Sequence, residues 1–357
     1  MKEIFLIFLY LSINLIICKS NSILLPNIKK IKGDNKKNLV IGVIEGYSWI
    51  EVKPFFISYI KANFTNCDCV IFYRKIKDNT LNKIRSLGII TFEIPKQYNR
   101  MIINNIRYKI YEDYLSDKLD KYNMILHVDV RDTYFQKDVF KFYKNKKHFI
   151  GLALEDGNMT DKYSSSWIKG QYGNEIYEEL KNKTIICSGT IWGTVDKFLE
   201  LAKFIWKEIE KKSPYSFTIL DQSSEAYLIY HKNMFNNCII TSDIYSGPIM
   251  TVGLSNKNFY YDSEDNLLNL NGDIAAVIHQ YDRKPKIVEK VKKKFINIPE
   301  KITLIDYIYI KYLICIIIIG FIIIFFSLII YVKQKGKKKI IKKKEKKNQY
   351  KKVSILK

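Results

Sequence analysis

Two carboxylates three positions apart, Asp129 and Asp132, stand where the apolar run from Met124 to Val130 gives way to polar residues. A run of that length bounded by polar residues reads as a buried strand. The acids then lie where it leaves the sheet, the place at which open α/β sheets bind their ligands. Carboxylate oxygens are hard donors, suited to Mg²⁺ or Mn²⁺ bridging to a diphosphate. An Asx turn at a strand end yields the same pair, so the two acids need company before they make a site.

Several stretches could supply it. Phe149 to Leu154 is a second apolar run that ends in acids, Glu155 and Asp156. Ile185-Ile186-Cys187 leads into the small residues Ser188, Gly189 and Thr190, which leave room for a sugar ring against the backbone. Asp221-Gln222 opens a helical stretch that runs to His231, where a carboxylate is also favoured simply as a helix-terminal charge. Arg107 lies in an amphipathic segment, Met101 to Leu119, and there a solvent-facing arginine is as natural as a ligand-facing one.

Taken in order, these strings resemble the motifs of a group of GT-A-fold, DxD-type nucleotide-sugar glycosyltransferases. Asp129-Val130-Arg131-Asp132, with Phe135, Gln136, Asp138 and Phe140, is similar to the group's metal-binding motif. Gly46-Tyr47-Ser48-Trp49, with Pro54-Phe55-Phe56 and Ser58, is similar to its first strand-to-helix unit, which lies against the nucleotide. Cys187-Ser188-Gly189-Thr190 with Gly193-Thr194 resembles the donor-sugar segment, and Asp221-Gln222 the pair lining the sugar pocket. Val277-Ile278-His279-Gln280-Tyr281-Asp282-Arg283, with Pro285, matches the closing motif.

The resemblance spans roughly residues 38 to 286. It implies that Asp129, Asp132 and His279 hold Mn²⁺ or Mg²⁺, and that Gly46, Tyr47, Arg107, Ser188 and Gly189 face the donor. Asp221 and Gln222 are then the catalytic candidates, with Glu155 next. One departure is plain: Arg131 stands where a D-x-D carries its second acid, so Asp132 must reach the ion from one residue further on. The same arginine breaks the D-x-D-x-T of haloacid-dehalogenase-like phosphatases. No G-x-G-x-x-G or Walker loop occurs, so neither a dinucleotide-binding domain nor a P-loop ATPase is indicated.

The elements that must position these residues alternate between strand and helix. That pattern predicts an α/β domain of the Rossmann-like GT-A type, with a mixed, mostly parallel sheet and helices on both faces. Its 357 residues also leave room for segments outside the domain. Lys2 and the apolar run from Ile4 to Cys18 have the layout of a signal peptide over residues 1–20, or of an uncleaved anchor, and residues 21–37 read as a linker. The domain is expected over residues 38–300. A transmembrane helix is expected over residues 312–332, because Leu313 to Val332 carries no charge and is long enough to span the roughly 30 Å core of a bilayer.

Beyond it, residues 333–357 hold thirteen Lys against one Glu, about half of the formal charge of +23. That distribution argues against nucleic acid and sets the tail on the cytosolic side, with the domain lumenal in the ER, Golgi or another secretory-pathway membrane. The triplets starting at Asn63, Asn158 and Asn182 fit glycosylation there, and Cys67, Cys69, Cys187 and Cys238 allow up to two disulfides. The expected partners are a nucleotide-sugar donor, a UDP-sugar first, and a glycan or glycoprotein acceptor. The expected activity is metal-dependent sugar transfer, and the alternative is a non-catalytic lumenal binding or scaffold protein on a transferase-like fold.

Overall fold

The computed structural model describes residues 36–212, 217–297 and 319–320. The expected signal run, most of the linker, the lysine tail and all of the membrane span but Ile319 and Gly320 lie outside them. Among the described residues no helix is long and apolar enough to cross a membrane.

Ten strands form one sheet in the order β3-β2-β1-β4-β7-β6-β9-β10-β5, with β8 beside β6. They are β1 (Lys37–Glu45), β2 (Cys67–Arg74), β3 (Ile90–Glu93), β4 (Tyr122–Val128), β5 (Thr133–Phe135), β6 (Ile150–Asn158), β7 (Thr184–Thr194), β8 (Ile239–Ser242), β9 (Ile249–Thr251) and β10 (Val277–His279). Strand β1 begins at Lys37, the last residue assigned to the linker. The pairs β1·β2, β1·β4, β2·β3, β6·β8, β6·β9 and β9·β10 are parallel. The pairs β4·β7, β6·β7 and β5·β10 are antiparallel. This is the mixed, mostly parallel sheet that the alternation of elements predicts.

The period of two along each strand sorts the core onto two faces. Leu39 and Ile41 of β1, Val70 of β2 and Ile125 of β4 pack with helices α3 (Ile103–Leu115) and α5 (Val195–Lys212). Val40, Ile44, Ile71 and Leu126 pack on the other face with α1 (Trp49–Ala62), beside which α2 (Asp78–Ser86) lies. In α5 the stripe Val195, Phe198, Leu199, Ala202, Ile205, Trp206 and Ile209 is buried, as its spacing predicts, so its aromatics are core. Helix α4 (Lys162–Leu180) carries no such stripe and is kinked at Gly173, where φ is +87°.

Cys67, Cys69, Cys187 and Cys238 are all free thiols, so the two disulfides that the composition allowed do not form. The first two share β2, and two strands separate it from β7, which carries Cys187. That is about 14 Å, more than a disulfide can span. Asn63, Asn158 and Asn182 are all exposed.

One contact ties the first helix to the acidic turn. The Phe55 and Phe135 rings meet edge to face, 5.0 Å apart, and the Phe135 amide donates to the Ser58 hydroxyl at 2.9 Å. The Pro54-Phe55-Phe56-x-Ser58 string thus serves to seat α1 on β5, just after Asp132. Phe55→Ala is expected to lower stability by about 3–5 kcal/mol, read from urea unfolding.

Candidate metal centre

Strand β4 ends at Val128, and the chain bends through residues 129–132 before β5 begins. The Asp129 amide donates to the Gly189 carbonyl of β7 at 2.8 Å, which fixes the first acid. Strand β5 then pairs antiparallel with β10, Thr133 opposite His279, and the Tyr281 amide donates to the Asp132 carbonyl at 3.3 Å. This bend is why the longer acid spacing works. It turns Asp132 back toward the imidazole instead of leaving it further along a strand.

One ligating atom from each of Asp129, Asp132 and His279 lies within 4.8 Å of the others. His279 Nε2 stands 3.7 Å from Asp129 Oδ2 and 3.6 Å from Asp132 Oδ1, beyond hydrogen-bond length, and it is buried with no hydrogen-bond partner. Gly189 closes the space. A Cβ there would lie 2.5 Å from both Asp129 Oδ2 and His279 Cε1, so a side chain at 189 would displace one or both of these groups. Two carboxylates and an imidazole whose Nε2 has no hydrogen-bond partner form a donor set that fits Mn²⁺ or Mg²⁺.

Beneath the trio lies a knot of buried charge. Arg107 of α3 is 1% exposed; its Nη1 donates to Asp129 at 2.6 Å, and its Nη2 to Asp221 at 2.5 Å and to the Ser188 carbonyl at 2.8 Å. The same carbonyl accepts from His127 Nε2 at 3.1 Å, while Tyr111 donates to His127 Nδ1 at 3.1 Å. Asn105, two residues before Arg107, holds the Thr218 carbonyl and the Leu220 amide, which sets helix α6 (Asp221–Ala226) beside the arginine. Burial would raise the Asp129 carboxyl, but the Arg107 and His279 charges outweigh it and hold it well below the usual carboxylate range. Burial, helped by the Asp129 charge and opposed by Arg107, raises the Asp221 carboxyl.

Arg107 is thus brought to the site, but facing inward onto two carboxylates. Asp221 is completely buried and bound to Arg107. Its neighbour Gln222 is only partly buried and donates its amide to Asp221 Oδ1 at 2.8 Å. Ser188 donates its hydroxyl to Asp221 at 3.3 Å. Gly46 takes a φ of +74° at the end of β1, with open space where a side chain would project. The half-buried Tyr47 phenol is raised by burial and feels the Arg131, Asp129 and Asp132 charges, which places the loop after β1 beside the trio.

Glu155 lies two strands from His279 in one row across the sheet, through Thr251. Its carboxylate accepts from Gln280 Nε2 at 3.4 Å, and burial raises it. Cys187 Sγ sits 3.4 Å from His279 Nδ1, behind the imidazole. His127 and Asn105 escape a reading of motifs because each works through a neighbour. The signal available was a polar side chain inside an otherwise apolar stripe or strand.

One further acid has no counterpart among the expected residues. Glu225, one helical turn after Asp221, is fully buried with both carboxylate oxygens unpartnered. Burial and the Asp221 charge push it up to about 8, against Arg107.

No protein-family model matches the chain. No curated protein sequence matches it either. Among solved structures it is similar to two crystal structures of LgtC, one of an active-site mutant and one of the galactosyltransferase in complex with donor and acceptor sugar analogues. Each aligns at 12% identity and a TM-score of 0.45, covering 74% of this chain and 98% of the other. The chemistry is therefore read from this chain's own residues.

Two outcomes follow from the knot. Arg107→Met leaves the buried Asp221 carboxylate without its cation and is expected to cost about 3–5 kcal/mol in chemical unfolding. Glu225 is protonated in the folded state up to about pH 8 but ionised in the unfolded chain above about pH 4.5. The native state therefore binds the extra proton, and stability falls as pH rises across that window. Glu225→Gln is expected to remove that slope, so its melting temperature gains on wild type as pH rises from 5 toward 8.

Proposed function

We propose that this chain is a membrane-anchored, metal-dependent glycosyltransferase of the secretory pathway, moving a sugar from a nucleotide diphosphate to a glycan or glycoprotein. One observation carries the reading. Asp129, Asp132 and His279, from the middle and far end of the domain, meet around a space that glycine at position 189 leaves open. Such a set suits a hard divalent ion beside a diphosphate.

Asp129, Asp132 and His279 would hold that ion. When bound, it supplies Lewis-acid stabilisation of the charge that grows on the leaving diphosphate. The chain's other residues position. Arg107 keeps Asp129 ionised and aimed, and Asp221 in turn holds Arg107. Gly46 and Tyr47 border the donor side. Gln222 is assigned the accessible place in its pair, with Asp221 acting through it and through Arg107. Glu155, raised by burial, stands two strands away as the second acid. The anchor is the apolar segment before the lysine tail, and the exposed acceptor asparagines are compatible with a lumenal domain.

The test is a screen of nucleotide sugars, UDP-sugars first, against the full-length chain in detergent with Mn²⁺, reading released nucleotide. Asp129→Asn and His279→Ala are each expected to lower Mn²⁺-dependent release by at least about 100-fold while the fold persists by circular dichroism. Unchanged release in both variants would remove the metal centre from the reaction.

A further inference from the structure

The diphosphate gains negative charge as it leaves the sugar, beyond what one divalent ion offsets, so a cation beside the trio would stabilise it. Arg107 cannot serve, since both its terminal nitrogens are taken and it is 1% exposed. A second arginine also pairs with the trio. Arg131 lies between the two acids in sequence, yet its side chain turns outward and is 44% exposed. Its Nη2 is 2.9 Å from Asp282 Oδ2 and 3.7 Å from Asp132 Oδ2.

Its surroundings show where it stands. Burial raises the Tyr47 phenol and the Arg131 charge is the foremost influence pulling the other way, which puts the guanidinium beside the loop after β1. Asp282 follows His279 by three residues, so Arg131 bridges the acidic turn and the closing motif at the rim of the centre. Its hold there is slight. Asp132 is at ion-pair distance only, and the second Asp282 oxygen, Oδ1, is buried without a hydrogen-bond partner, so the tether rests on one carboxylate oxygen. A phosphate group, with its oxygens matched to the guanidinium fork, makes the stronger, two-point pair.

We propose that Arg131, tethered by Asp282 until the donor arrives, is the arginine that binds the donor's diphosphate. This rests on the transferase reading above. The residue that breaks the D-x-D pattern is then no mere spacer. It carries the positive charge that the buried Arg107 cannot offer.

The experiment is calorimetric titration of the full-length chain in detergent, first with Mn²⁺ alone, then with pyrophosphate at saturating Mn²⁺, then with UDP. Pyrophosphate isolates the diphosphate contact from any preference for a base. In R131Q, pyrophosphate affinity is expected to fall about tenfold, while Mn²⁺ affinity holds or rises because a competing cation has left Asp132. In D282N, which releases the guanidinium, pyrophosphate affinity is expected to rise several-fold, a gain that misfolding does not produce.

Wild-type affinity in R131Q overturns the role of Arg131 and leaves the transferase reading standing. Should R131Q lose Mn²⁺ as well, D282N decides, and an unchanged pyrophosphate affinity there overturns the assignment. A wild-type chain that takes up Mn²⁺ but neither pyrophosphate nor UDP at millimolar concentration overturns the transferase reading, and this assignment with it.

Discussion

The centre depends on one buried guanidinium. Arg107 reaches Asp129 at the end of β4, the Ser188 carbonyl on β7 and Asp221 at the start of α6, so a single planar group sets three segments that sequence keeps far apart. An arginine inside a protein is tolerable only when its donors are matched. Here both terminal nitrogens are matched by oxygen, while Nε has no partner. Asp129 stays ionised because of it, and an ionised Asp129 is the condition for holding any cation on the open side.

Around that knot the division of labour is clear. Arg107, facing inward, keeps Asp129 charged and aimed, while Tyr47 and Gln222 are partly exposed and Arg131 pairs outward with Asp282. The packing around the turn serves the same end. Phe55 and Ser58 pin β5, which delivers Asp132, and Gly189 yields the volume in which the three donors meet. No single element carries the site, so its precision is a property of how the sheet closes.

Much of this was legible in the chain. Long periodic elements such as α5 and the strand before Asp129 announce themselves, because a stripe or an apolar run is a local signal. The two acids and His279 were found through motif resemblance, and the geometry brings them together. Strands β5, β9 and β10 have three residues each, too few for alternation to register, so their pairing, and with it the reach of Asp132, was not legible. Helix α4, with its serines, glycines and acids, offers no apolar stripe. Arg107 was expected to face a ligand, but a helix position alone does not say whether a carboxylate waits inside. Asp221 and Glu225 sit in a wholly polar string, Asp221-Gln222-Ser223-Ser224-Glu225, that is largely buried. Burial of so polar a string is set by distant partners such as Asn105 and Gln171, not by its own composition.

The pairing of β5 with β10 joins Thr133 to His279 across about two fifths of the polypeptide. As the chain emerges during synthesis, the acids are made early and the imidazole late, so a nascent domain passes through a long interval in which β4 and α3 can be in place while the cation-binding pocket does not yet exist. Uptake of an ion by the trio would therefore be a terminal event in maturation, with the last short strand as the latch that completes the pocket.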